Sequence, residues 1–135
     1  MNLDYMKYMT EMDLGQSNSE EDLKKIETRL QITLPEEYRL FMIEHNGAEG
    51  PIVEENYLVI WPAEEIVDLN EAYGVSDFTP GLVYFGSDGG GTVYAFDKRS
   101  IPYSIVKFPF DSIHIEDAEI IADRFDEFVK KVHDE

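Results

Sequence analysis

The stretch GSDGGG at residues 86–91, running into TVYAFD at 92–97, holds residue types that can cradle a phosphate. A phosphate loop also needs a lysine and a Ser or Thr at the end of its glycines. A helix must follow, so that backbone N–H groups and the helix dipole meet the anion. Thr92 has no lysine before it, and TVYAFD has the composition of a strand, not a helix. Asp88 would also set an anion beside the phosphate. The same letters meet every demand of a sharp turn. Gly89, Gly90 and Gly91 accept positive φ, and Asp88 can bond its own backbone. The spacing therefore predicts a hairpin between 82–85 (LVYF) and 92–97.

Other chemistry finds less support. Asp88 and Asp97 flank the loop, but the alternating oxygen ligands closed by a glutamate that calcium loops use are missing. The 29 acidic residues give many accidental carboxylate pairs, and none is singled out for acid–base hydrolysis. His45, His114 and His133 are scattered without the HExxH spacing of a zinc protease. His45, near a helix end, reads as a capping or surface group. No serine sits in a GxSxG setting. The chain has no cysteine, which removes disulfides, thiolate nucleophiles and Cys-based zinc sites. The reading is a non-enzyme with no catalytic residue, metal site or cofactor.

The surrounding elements follow from periodicity. A first helix is predicted over 3–13 from Leu3, Met6 and Met9. GQSNS (15–19) breaks it and offers a capping box, Ser17 with Glu20 or Ser19 with Asp22. A second helix runs over 20–31 with Leu23, Ile26 and Leu30 on one stripe. A third starts at Leu34-Pro35, carries Tyr38, Phe41, Met42 and His45, and stops at Asn46-Gly47. Tyr57 to Trp61 reads as a strand. Pro62 opens a short helix that turns Ile66, Leu69 and Tyr73 inward and ends at Gly74. Residues 104–108 (SIVKF) form a further strand. A last helix over 117–132 aligns Ile121, Phe125, Phe128 and Val132. Helices, then mainly antiparallel strands, then a closing helix make an α+β fold. The 135 residues suit a single domain, 1–135, with enough apolar material (43%) for a core.

Charge narrows the partner. The formal net charge is −18, with 11 basic and 29 acidic residues. Nucleic-acid binding draws on Lys and Arg at phosphates, so direct nucleic-acid contact is not expected. Between Arg39 and Lys98 lie 58 residues with eleven acids and no Lys or Arg. A second base-free run, 108–123, adds Asp111, Glu116, Asp117, Glu119 and Asp123. Solubility alone does not require the bases to be excluded, whereas an acidic face for a basic protein partner does. No apolar run approaches the ~18 residues of a membrane span. The N-terminus lacks a signal-peptide layout, so the expected address is cytoplasmic.

The ordered motifs resemble the SUKH superfamily. LPEEYRLFMIEHNG (34–47) is similar to its early segment, LVYFGSDGGGTVYAFD (82–97) to its glycine-rich signature, and DRFDEFVKKV (123–132) to its closing helix. The match covers roughly 20–132. The resemblance implies a mainly antiparallel sheet with N-terminal helices and a C-terminal helix packed against it. It also implies a non-catalytic role. Bacterial members are mostly immunity proteins that neutralise polymorphic or contact-dependent toxins, commonly nucleases. A fungal branch acts as a regulatory interaction scaffold in cell-wall synthesis.

The expected partner is thus a basic toxin domain, a nuclease being the leading candidate. The candidate contact pool is Glu54, Glu55, Glu64, Glu65, Asp68, Glu71, Asp77 and Asp88, with Tyr57, Trp61 and Tyr73 as aromatic anchors. For Trp61, the end of an apolar strand, a core position is the competing reading.

Overall fold

The computed structural model describes residues 4–134. Seven strands form one sheet in chain order, β1 to β7, every neighbouring pair antiparallel. They are β1 (Asp13–Leu14), β2 (Ala48–Val53), β3 (Asn56–Ile60), β4 (Leu82–Ser87), β5 (Thr92–Asp97), β6 (Ser104–Pro109) and β7 (Glu119–Ala122). The helices are α1 (Glu20–Leu30), α2 (Glu36–Glu44), α3 (Ala63–Ala72), α4 (Val75–Phe78) and α5 (Phe125–Asp134), with 3-10 helices at Asp4–Tyr8 and Ile115–Asp117. This is the expected α+β fold, with the sheet antiparallel throughout. No helix among the described residues is long and apolar enough to cross a membrane.

The core sits between the sheet and α2 and α5. Tyr38 and Phe41 from α2, Phe125 and Phe128 from α5, and Phe85 and Phe96 from the sheet are all buried. Their rings meet mostly edge-on or tilted, and Phe85 stacks on Phe96 at 4.4 Å. In α5 the apolar residues Phe125, Phe128, Val129 and Val132 fall at i, i+3, i+4 and i+7, so one stripe enters the core. All six residues of β4 are buried, because α3 and α4 cover its other face. A register shift at Phe85 lets Tyr84 point toward α3 while Phe85 joins the core rings. Where β3 has left β4, Asn70 of α3 takes its place. Its side chain accepts from Tyr84 N at 2.9 Å and donates to Tyr84 O at 2.9 Å, which satisfies buried strand backbone.

The Tyr38 hydroxyl is buried with no hydrogen-bond partner among the described residues. An unpaired buried hydroxyl costs about 1–3 kcal/mol. Tyr38→Phe keeps the ring contacts and removes that cost. Chemical denaturation should show the variant more stable by about 1 kcal/mol.

Several expectations need correction. The helix predicted over 3–13 is a 3-10 helix, Asp4–Tyr8, followed by a turn and β1; Leu3 lies outside the described residues. Tyr5, Met9 and Met12 still reach the core, because successive tight turns (Met9 N to Met6 O, Met12 N to Met9 O) mimic helical spacing. The capping box at α1 does not form. Ser19 is the N-cap but makes no side-chain cap bond, and Asn18 Oδ1 accepts Ser19 N instead. The α2 helix ends at Glu44, and His45 is its extended cap residue.

The helix predicted from 117 begins at Phe125. Residues 119–122 are strand β7, whose β-branched Ile120 and Ile121 pair with β6. Ile121 therefore belongs to the sheet. Tyr73, expected to face inward, is 44% exposed at the end of α3. Strand β2 was hidden by Gly50 and Pro51. Gly50 is required where residues 11–13 cross it, since a Cβ would lie 3.1 Å from Met12 Cα. Pro51 is tolerated because β1 pairs only with Ala48 and Glu49.

Asp88 and Asp97 end up at opposite ends of β5, and so do not form a shared site. Asp97 instead clamps the β5–β6 turn. It accepts Arg99 N at 2.9 Å, Nε at 3.0 Å and Nη2 at 2.9 Å. The guanidinium bonds of Arg99 hold its carboxyl below the usual carboxylate range, against the opposing effect of burial. A lowered folded pKa contributes stability that is present above the unfolded value and lost as pH falls through the folded one. At pH 7, Asp97→Asn should cost about 1–2 kcal/mol. The gap to the parent protein should close as pH drops below about 4 in denaturation titrations.

Candidate functional site

The outer face of β1–β3, away from the α2–α5 core, carries the most coherent polar surface. Residues directly opposite in an antiparallel pair share a face. The register Asp13↔Glu49, Glu49↔Val59 and Pro51↔Tyr57 thus puts Asp13, Glu49, Val59 and Tyr57 together. Tyr57 is 41% exposed, and its hydroxyl donates to Glu49 Oε2 at 2.9 Å. That bond raises the phenol's pKa, as do partial desolvation and the nearby charges of Glu49 and Asp13.

The first glycine motif builds one end of this face. Asn46-Gly47 links three segments. Asn46 Oδ1 accepts Ala63 N at 2.7 Å and Asn18 Nδ2 at 3.1 Å, and Asn46 Nδ2 donates to Glu64 Oε2 at 2.8 Å. Gly47 has φ +88, and a Cβ on it would come within 2.7 Å of Ile60 O. The end of α2, the exit of β3 and the start of α3 are drawn together there. A groove of about 420 Å³ opens beside them. Carboxylates Asp13, Glu49 and Glu65 line it together with the apolar surfaces of Val59, Trp61 and Pro62.

The GSDGGG turn borders the same face. Gly86 lets β4 approach β3, since a Cβ would sit 2.3 Å from Val59 O. Gly89 has φ +79 and lies on Tyr57, whose Cδ2 would be 2.7 Å from an added Cβ. Asp88 Oδ1 accepts Gly90 N at 2.8 Å and Thr92 N at 3.1 Å, as a turn aspartate should. Of the three consecutive glycines, all able to accept positive φ, only Gly89 takes it. A Cβ at Gly91 would meet nothing within 4 Å.

The bases are engaged elsewhere. Arg29 pairs with Glu71, Arg39 with Glu27 and Glu20, Arg99 with Asp97, and Lys98 Nζ donates to the carbonyls of Leu30 and Gln31. Among the described residues no Lys or Arg pairs with Asp13, Glu49 or Glu65. Like charges directly opposite on neighbouring strands repel, so Asp13 and Glu49 form a cross-strand pair that a cation from outside would relieve.

The candidate pool is dispersed around this groove. Trp61 and Glu65 line it, Tyr57 reaches its edge through the bond to Glu49, and Asp88 sits in the adjoining turn with its carboxylate bonded to its own backbone. Trp61 is 7% exposed and stacks on Tyr73 at 6.4 Å, so it serves the core while lining the groove. Tyr73 continues the aromatic surface toward Phe110 at 4.9 Å. Glu64 is held by Asn46, and Glu71 is ion-paired at 3.1 Å. Asp68 and Asp77 are exposed on α3 and α4. Glu54 and Glu55 occupy the β2–β3 turn, at the far end of the hairpin.

Sequence reasoning missed Asp13 and Glu49 as site residues. Asp13 was hidden inside a predicted helix. Glu49, although within the base-free run, sat in an unrecognised strand. Among the described residues, no three His, Cys, Asp or Glu side chains converge in a way able to hold a metal ion.

Comparison with curated proteins finds no match to the chain. The family model SMI1 / KNR4 family (SUKH-1) matches residues 17–131, which takes in both glycine motifs and the closing helix. That family includes immunity proteins and a fungal regulator, and its members act through protein–protein interaction. With 115 of 135 residues matched (131 − 17 + 1), the chain belongs to the SMI1/KNR4 (SUKH-1) family.

Proposed function

We propose that this protein is a cytoplasmic immunity protein that binds and neutralises a basic toxin domain, a nuclease above all, through the outer face of β1–β3. The observation that carries the reading is the cross-strand pair Asp13–Glu49 beside Glu65, on an apolar-lined groove with no Lys or Arg among the described residues to pair them. A nuclease needs cationic side chains to hold polyanionic substrate. An acidic groove competes for those side chains directly, and Val59, Trp61 and Tyr57 offer apolar contact that phosphate does not. The excess negative charge speeds encounter, while a few buried contacts set the residence time. Chemistry is no part of this role; occlusion is sufficient.

The test is co-expression with the C-terminal domain encoded by the neighbouring gene. Rescue of growth and a co-purifying complex are the expected results. Neither rescue nor complex would remove the immunity reading and favour a regulatory scaffold of the fungal kind.

A further inference from the structure

The second base-free run, residues 108–123, plays no part in the groove. It ends in β7, which closes the sheet order with β6 as its neighbour, at the edge opposite β1. An edge strand presents a row of unpaired N–H and C=O groups, which proteins usually blunt with charges, bulges or cover. Here Ile120 is 68% exposed, and Ile113, in the connection leading to β7, is 55% exposed. In the same run Asp111, Glu116, Asp117 and Asp123 are exposed, none paired with a Lys or Arg among the described residues. Glu119 pairs with Lys107 at 3.6 Å, both side chains well exposed.

We propose that β7 is a second docking edge, which takes an extended basic segment of a partner protein by strand addition. The backbone of the added segment pairs with β7. Its apolar residues cover Ile120, and its Lys or Arg residues meet the surrounding carboxylates, the alternation a strand provides. Charge selects this occupant over others. A second copy of the chain would bring acidic edge against acidic edge, at −18 each. Nucleic acid and anionic membranes are repelled for the same reason.

The probe is the seven-residue peptide Lys-Val-Lys-Ile-Lys-Val-Lys, blocked at both ends and titrated into the isotope-labelled full chain. Amide shifts centred on residues 119–122 are expected. Binding should weaken by about fivefold or more between low and moderate salt, and by about fivefold in Ile120→Ser, a change at an exposed side chain. N-methylation separates backbone pairing from simple adsorption. Methylating the alternate amides along one edge of the peptide should weaken binding by about tenfold or more. Methylating those along the other edge should leave it within about twofold, since each edge of a strand carries only alternate N–H groups. Indifference to both methylation patterns would overturn the proposal. So would shifts centred on Glu49 and Tyr57, absence of shifts at about millimolar peptide, or a dimer of the free chain paired through β7. The assay contains no toxin, so its failure leaves the groove reading standing.

Discussion

Gly86→Ala is expected to lower the unfolding free energy by about 3 kcal/mol or more, and Tm by on the order of 10 °C. The added Cβ would lie 2.3 Å from the carbonyl oxygen of Val59, a backbone atom that cannot rotate away. Strands β3 and β4 are joined through only two register pairs, Val59↔Ser87 and Ile60↔Gly86, so pushing them apart breaks the link between the two halves of the sheet. Against a total stability of about 5–15 kcal/mol, that is a large fraction. Gly91→Ala is the matched control. With nothing within 4 Å of its Cβ and no positive φ, it should change stability by less than about 0.5 kcal/mol or raise it slightly. Equal effects at the two positions would contradict the account of the loop as a turn whose glycines have separate duties.

Neutralising the groove is expected to move stability and binding in opposite directions. The triple change Asp13→Asn, Glu49→Gln and Glu65→Gln keeps side-chain size and leaves Tyr57 a carbonyl acceptor at position 49. It removes the cross-strand repulsion between positions 13 and 49, so the free protein should gain about 0.5–1 kcal/mol. Affinity for the basic partner should fall by about tenfold or more, since charges that meet at an interface each contribute to recognition. A stabilising change that weakens function is the usual signature of a surface held in a strained state for binding. Calorimetry on the free and bound protein reads both effects. A variant that loses stability and keeps full affinity would count against this site.

Much of the fold could be read from the chain because its strongest signals are local. The stripes of α1 and α2, the glycine turn and the run at 57–61 need no tertiary information. The errors arise where a distant partner overrides local pattern. Ile120-Ile121 reads as the start of a helix until β6 supplies a strand to pair with. AEGPIV shows no local strand signal, because Gly50 and Pro51 interrupt it and only the crossing of Met12 explains the glycine. Met9 and Met12 mimic a helix because tight turns reproduce its spacing. The site was legible as a charge bias but not as a place. A base-free stretch in sequence is not base-free in space, and Arg29 reaches Glu71 from another helix. Conversely, Asp13 joins the acidic face from outside the stretch, through strand register alone. The phosphate-like loop at 86–91 contributes to the face through Gly89, which packs on Tyr57, and not through any ligand of its own.

Electrostatic recognition at the β1–β3 face is read from the association rate with the toxin domain as a function of ionic strength. For the parent protein the rate should fall by about tenfold or more from low to physiological salt. The dependence should be much shallower for the Asp13→Asn, Glu49→Gln, Glu65→Gln variant. An association rate that is insensitive to salt, or a slope that the triple variant leaves unchanged, would contradict it.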